Sequence, residues 1–199
     1  MNFEFNLLLI IGLLTVAAAV VAGFRQYRER YGWVFVCYGI SELSALIFLA
    51  VFGLRGNQWY IVMLIPVIYG FIFRKFSKEH LVFILLISVL TLFVLPGSPE
   101  SQLLIMAIAH IAVFLFLSYD ALMDMLVKEE LNLFYILFLL FEVNAITKLL
   151  FILFKVNLSV VYYYPSGIFT VLLYFYFIFF SYNSPGLRIR IKPVHTVHK

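Results

Sequence analysis

Residues 131–154 read LNLFYILFLLFEVNAITKLLFILF, and the spacing of their two charges decides the fold. Only Glu142 and Lys148 interrupt 24 otherwise uncharged residues, which as a helix would extend roughly 36 Å, enough for a hydrocarbon core of about 30 Å. A helix apolar on every side has no face to offer water, so it belongs in lipid or deep in a large core. The 199-residue chain has no soluble remainder to build such a core: it is 65% hydrophobic and 12% charged, against roughly 45–50% and 25% in soluble domains. Its mean hydropathy is +1.07. An all-α polytopic membrane protein is therefore expected.

Working outward, six further apolar runs occupy 7–24, 34–54, 59–73, 81–95, 103–119 and 160–182, for seven expected transmembrane helices. The third and fourth runs, 15 residues each, are the shortest. As a re-entrant pair they would carry the segment 74–80, RKFSKEH, to membrane depth, so crossing is cheaper. The first run could pass for a cleaved signal peptide. Its leader MNFEFN is acidic, however, and its basic cluster RQYRER follows the run, so it is expected to stay as a helix. One seven-helix domain, 1–183, and a basic tail, 184–199, complete the division.

With the N-terminus outside, cytoplasmic segments hold 11 of the 14 basic residues: Arg25, Arg28, Arg30, Arg74, Lys75, Lys78, Lys128, Arg188, Arg190, Lys192 and Lys199. Outer segments hold only Arg55 and Lys155. This bias predicts N-out, C-in orientation. The net charge of +4 is thus topological, and no nucleic-acid partner is expected. A single cysteine, Cys37, excludes an intrachain disulfide and a cysteine-based metal cluster. A compact chain without a recognisable eukaryotic sorting signal suggests a bacterial or archaeal inner (plasma) membrane.

Offset by 100 residues, the chain aligns with itself: Arg28-Glu29 on Lys128-Glu129, Tyr38 on Phe138, Glu42 on Glu142, Ala45 on Ala145, Leu49 on Leu149, Arg55 on Lys155 and Asn57 on Asn157. Positions 42, 45 and 49 form one helical stripe. Pro66 and Pro165 follow one residue out of register. Two parallel three-helix repeats joined by a fourth helix are expected, with a binding site at their interface. This plan resembles the three-plus-one-plus-three arrangement of the SWEET sugar transporters and of vitamin transporters, and its helix count and outer N-terminus are similar to those of the rhodopsins. The chain departs from them in having no Pro-Gln pair and no lysine in its seventh run, so no family's site residues transfer.

Glu42 and Glu142 are the only acids inside apolar runs, each costing about 2.5–3.5 kcal/mol at a helix centre. Facing one another across a repeat axis, they would suit proton or cation coupling; each alone could instead bond a Ser, Asn or carbonyl as interhelical glue. His110 lies at similar depth and is a candidate third member of a Glu42–His110–Glu142 layer, against the plainer role of packing histidine. Lys148 and Asn144 share a face and are candidates to line a polar path from outside, although Lys148 could simply snorkel outward. Ser44, near Glu42, joins this ligand set. Pro66, Pro165 and Gly167 are hinge candidates. Asp120 and Asp124, one turn apart at a cytoplasmic helix end, could hold Mg²⁺ for a phosphate substrate, but without companion acidic motifs a solvated helix end is the expectation. His80 lies at a helix end, too far from His110 for paired haem ligation. No cofactor or resident metal is expected.

Tyr162, Tyr163 and Tyr164 suit an interfacial aromatic belt. The tail LRIRIKPV alternates with period 2, a strand pattern suited to a partner's sheet edge or to anionic lipid. The sequence thus points to a small-solute transporter or binding bundle, with proton or cation coupling as its expected mode. The chief alternative is a receptor or sensor that signals to a cytoplasmic protein through the tail, and an intramembrane enzyme built on Asp120 and Asp124 is a third.

Overall fold

The computed structural model describes residues 3–52, 57–73, 78–94, 98–156 and 160–190. Its main elements are α1 (Phe3–Gln26), α2 (Gly32–Phe52), α3 (Asn57–Phe73), α4 (Lys78–Val94), α5 (Pro99–Lys128), α6 (Leu133–Leu153) and α7 (Val160–Phe179). Arg55, residues 74–77 and the tail beyond 190 lie outside the described residues. The protein is all-helical apart from two short strands. Among the described residues three helices carry stretches long and apolar enough to cross a membrane, Leu9–Gln26, Pro99–Lys128 and Leu133–Leu153. The apolar stretches of α2, α3 and α7 are shorter.

Helix ends follow capping chemistry where hydropathy alone misplaces them. α5 extends well past the apolar run 103–119, to 30 residues, because Ser98 caps it at one end and left-handed Glu129 (φ 53°) closes it at the other. The Ser98 hydroxyl accepts from the Ser101 amide at 3.2 Å, and Pro99 occupies the first turn. α6 begins at Leu133, two residues later than its apolar run, because Asn132 Oδ1 accepts from the Phe134 amide at 3.0 Å. α7 ends at Phe179, where Gln26 Nε2 donates to the carbonyls of Phe177 and Phe180 and satisfies two of its terminal acceptors.

α1 packs on α2 and α7, α2 on α3, α3 on α5, α5 on α6 and α6 on α7, closing a ring of six helices with α4 laid against α3. The α1–α2 crossing is tight. A Cβ on Gly39 would meet the Ala19 carbonyl oxygen at 3.0 Å, and one on Gly23 would meet that of Phe35 at the same distance. Small residues at a crossing let two backbones approach without a side chain between them. The 26–32 turn between these helices needs Gly32, whose Cβ would lie 1.9 Å from the Gln26 carbonyl oxygen.

Aromatic rings fill the ring's interior. Phe35 meets Phe177 at 4.7 Å and Phe138 at 5.1 Å between centroids, while Phe141 stands edge-on to Tyr174 at 5.1 Å. Such pairs contribute about 0.5–1.5 kcal/mol each beyond burial. Polar side chains are interior too: Gln102, His110, Glu142, Ser166 and Thr170 are buried, whereas Phe24, Leu90, Val94, Leu115 and Leu172 are exposed. Polar groups set within an aromatic core, under an exterior rich in large apolar side chains, depart from the soluble pattern.

The tail's strand pattern finds its partner within the chain. β2 (Arg188–Arg190) pairs antiparallel with β1 (Glu130–Asn132), Ile189 opposite Leu131, and Arg188 lies 3.6 Å from Glu130. Asn132 Nδ2 also donates to the Tyr182 carbonyl at 3.0 Å, so one residue caps α6 and holds the exit of α7. One edge of β2 is therefore taken by the α5–α6 connection, where the sequence suggested another protein or lipid.

Candidate functional site

Glu142 is the tenth of 21 residues in α6 and is fully buried. A carboxyl group so placed must be satisfied from neighbouring helices. Its Oε1 accepts the Tyr38 hydroxyl of α2 at 2.8 Å, and its Oε2 lies 2.7 Å from His110 Nδ1 of α5. The far ring nitrogen, Nε2, is 2.9 Å from the Tyr60 hydroxyl of α3. Four helices thus contribute to one hydrogen-bonded chain, Tyr60–His110–Glu142–Tyr38, in which a hydroxyl or imidazole can pass a proton onward by switching between donor and acceptor.

A cavity of about 220 Å³ borders this chain, well above the roughly 10–15 Å³ that one water needs. Its lining brings Glu42, Tyr60, His110, Asn144, Lys148 and Thr170 together with apolar side chains such as Phe141 and Leu149. Lys148 Nζ and Asn144 Nδ2 both donate to Thr170 Oγ1, at 2.8 and 2.9 Å, and Ser166 Oγ donates to Asn144 Oδ1 at 2.7 Å. Ser166 and Thr170 sit one turn apart on α7, as do Asn144 and Lys148 on α6, so the two helices meet along a polar seam. Lys148 therefore turns inward, where sequence reasoning preferred snorkelling.

Of the expected layer of Glu42, His110 and Glu142, two members are bonded to one another and the third is not. His110 and Glu142 bond directly, while Glu42 reaches the same cavity half-buried and, among the described residues, without a hydrogen-bond partner. The asymmetry is written in the sequence: Tyr38 supplies a hydroxyl to Glu142, whereas Phe138, its counterpart at the 100-residue offset, has none to offer Glu42. Ser44 stands apart from the cavity and donates to the Ser41 carbonyl of its own helix at 2.9 Å. Pro66 and Pro165 both lie inside continuous helices, and Gly167 allows Ile11 to approach α7.

A second polar cluster sits at the end of the bundle that carries β1 and β2. Asp120 and Asp124 are not a solvated helix end, because the turn before α2 and the end of α7 fold over them. Arg30 lies 3.3 Å from both carboxylates, Lys128 Nζ is 3.0 Å from Asp124, and Tyr31 donates to Asp120 at 2.8 Å. Tyr135 donates to Asp124 at 2.9 Å, and the Tyr182 hydroxyl makes a further short bond to it. Burial pushes the Tyr31 phenol above its ordinary range, which keeps it a donor here. Arg30 and Lys128 also lie over the Tyr182 ring, at 4.9 and 5.2 Å. With their oxygens committed in this way, the two acids are a structural clasp and poorly placed for a catalytic metal. Among the described residues no group of three or more His, Cys, Asp or Glu side chains is arranged to hold a metal ion.

Sequence reasoning missed Tyr31, Tyr38, Tyr60, Tyr135 and Tyr182 as site residues. In a chain with 13 tyrosines no local signal separates a buried hydroxyl from an interfacial one, although Tyr38 lies four residues before Glu42 on the same stripe. Comparison with protein families, curated proteins and solved structures finds no match to this chain.

Proposed function

We propose that the protein is an integral membrane transporter or solute-binding bundle of seven spans, N-terminus outside, whose solute site is the cavity between two three-helix repeats. The observation that carries this reading is the buried Tyr60–His110–Glu142–Tyr38 chain running beside a cavity that Glu42, Asn144 and Lys148 also line. Packing apolar residues in these places would be cheaper, and interior ionisable groups that meet at a cavity are the usual mark of a solute or proton path. The helix packing supports the repeat. Exchanging α1, α2 and α3 for α5, α6 and α7 turns the α1–α2 contact into α5–α6, α2–α3 into α6–α7 and α1–α7 into α5–α3, and all six are observed. The lipid-like exterior and the concentration of Arg30, Lys128 and Arg188 at one end of the bundle support membrane embedding and the orientation.

In this reading His110 and Glu142 hold the coupling proton, Tyr60 links it to the cavity, and Glu42, Asn144, Lys148 and Thr170 contact the solute. Pro66 and Pro165 lack the amide that would close the helix turn below them, which makes α3 and α7 the elements best able to bend as the site changes access. The test is uptake of a panel of small labelled solutes into proteoliposomes under an imposed proton gradient. Accumulation by the native protein, lost in Glu142→Gln and Glu42→Gln variants that remain folded, is the expected result; unchanged accumulation in both would remove the coupling role.

One observation favours a second reading, a sensor. The β1–β2 pairing ties the segment after α7 to the connection between α5 and α6, so a shift of those helices is passed to the tail. Co-purification of a cytoplasmic protein that depends on residues 187–194 would support it.

A further inference from the structure

The cavity is lined by one acid, Glu42, and one base, Lys148, which among the described residues form no ion pair, and their surroundings suggest the occupant. Glu142 is fully served by Tyr38 and His110. At the 100-residue offset the counterparts of these two ligands are Phe138 and Ile10, neither of which carries a polar side-chain atom. Glu42 therefore keeps its place in the repeat without its donors. In the same cavity Lys148 uses one donor on Thr170 Oγ1 at 2.8 Å, and an ammonium has three. Glu42 and Lys148 line the same cavity, yet among the described residues no ion pair joins them.

A carboxylate and an ammonium that share one cavity each call for a counter-charge when ionised. A simple cation would satisfy Glu42 alone, and a simple anion Lys148 alone. Building on the solute-site reading above, we infer that the cavity takes a small zwitterion, its ammonium toward Glu42 and its carboxylate toward Lys148 and the Thr170 hydroxyl. A cavity of about 220 Å³ falls below the roughly 300–1,000 Å³ typical of sites for drug-sized ligands, which limits the occupant to a short carbon chain. Asn144 offers a neutral amide beside the carboxylate end.

The experiment measures binding of glycine, β-alanine and γ-aminobutyrate to the purified full-length protein in nanodiscs by calorimetry, with propionate and propylammonium as half-ligands. At least one zwitterion is expected to bind tenfold or more tightly than either half-ligand. Glu42→Gln and Lys148→Met should each weaken it about 10- to 100-fold, the loss expected for one charged hydrogen bond. Thr170→Val, which keeps the side chain's shape, should weaken carboxylate-bearing probes without affecting propylammonium, and it serves if Lys148→Met does not fold. Zwitterions that bind no better than the half-ligands, or equally in the native protein and Glu42→Gln, would overturn the inference while leaving a solute site in place. Failure of all five probes to bind, together with no uptake of any solute in proteoliposomes, would overturn the site itself.

Discussion

Tyr38, His110 and Glu142 make a natural set for substitution because each bond in the chain can be removed singly. Tyr38→Phe leaves Glu142 Oε1 without its donor at little change in volume, and is expected to cost about 1–3 kcal/mol. His110→Ala takes the partner from a buried acid and should cost more, roughly 3–5 kcal/mol. Reversible unfolding in mixed micelles measures both, and equal losses would mean that the His110 contact contributes nothing special. At the other cluster Asp124→Asn is expected to lose about 1–3 kcal/mol, since it removes the charge facing Arg30 and Lys128 while keeping one oxygen to accept from Tyr135 or Tyr182. A loss below 1 kcal/mol would return Asp124 to the status of an ordinary surface acid. Glu142, His110, Asn144 and Lys148 were legible in the sequence because a charge or amide inside an apolar run is costly on its face. Their tyrosine partners were not, because a phenol is tolerated at any depth and its bonds depend on which helices happen to face it.

Among the elements, the α1–α2 crossing is set by Gly23 and Gly39, which oppose the backbone of the other helix at 3.0 Å. Gly39→Leu must push the helices apart, and a loss of about 1–3 kcal/mol is expected from the overpacking. Leu43→Ala, one turn along on an exposed face, should change stability far less, and a comparable loss there would show that close approach is not what Gly39 provides. Helix existence was legible throughout, since seven apolar runs correspond to seven helices. Helix ends were legible only where caps were considered: α5 outran its apolar stretch at both ends because Ser98 and Glu129, which hydropathy counts as interruptions, are its terminators. The strand pattern of the tail was legible too, but its partner was not. Glu130–Asn132 carries no strand signal of its own and becomes β1 only because Arg188–Arg190 arrives beside it.

At the scale of the whole molecule, the six-helix ring keeps its polar groups in two layers, one mid-bundle and one at the end with β1 and β2. If that end faces the cytoplasm, a fluorescent protein fused after residue 199 should mature and a periplasmic phosphatase fused there should stay inactive; the opposite pair of results would invert the bundle. The 100-residue offset is a pattern of the sequence alone, and it does not distinguish the surroundings of Glu42 from those of Glu142. Two glutamates at matching positions read as equivalent in sequence. Only the placement of Tyr38 and His110 separates a satisfied Glu142 from an open Glu42. The most direct test is internal acidification, followed with a trapped pH-sensitive dye while proteoliposomes take up solute. Acid should enter with the solute in the native protein and not in Glu142→Gln, whereas equal acidification in both would contradict a proton carried by the His110–Glu142 pair.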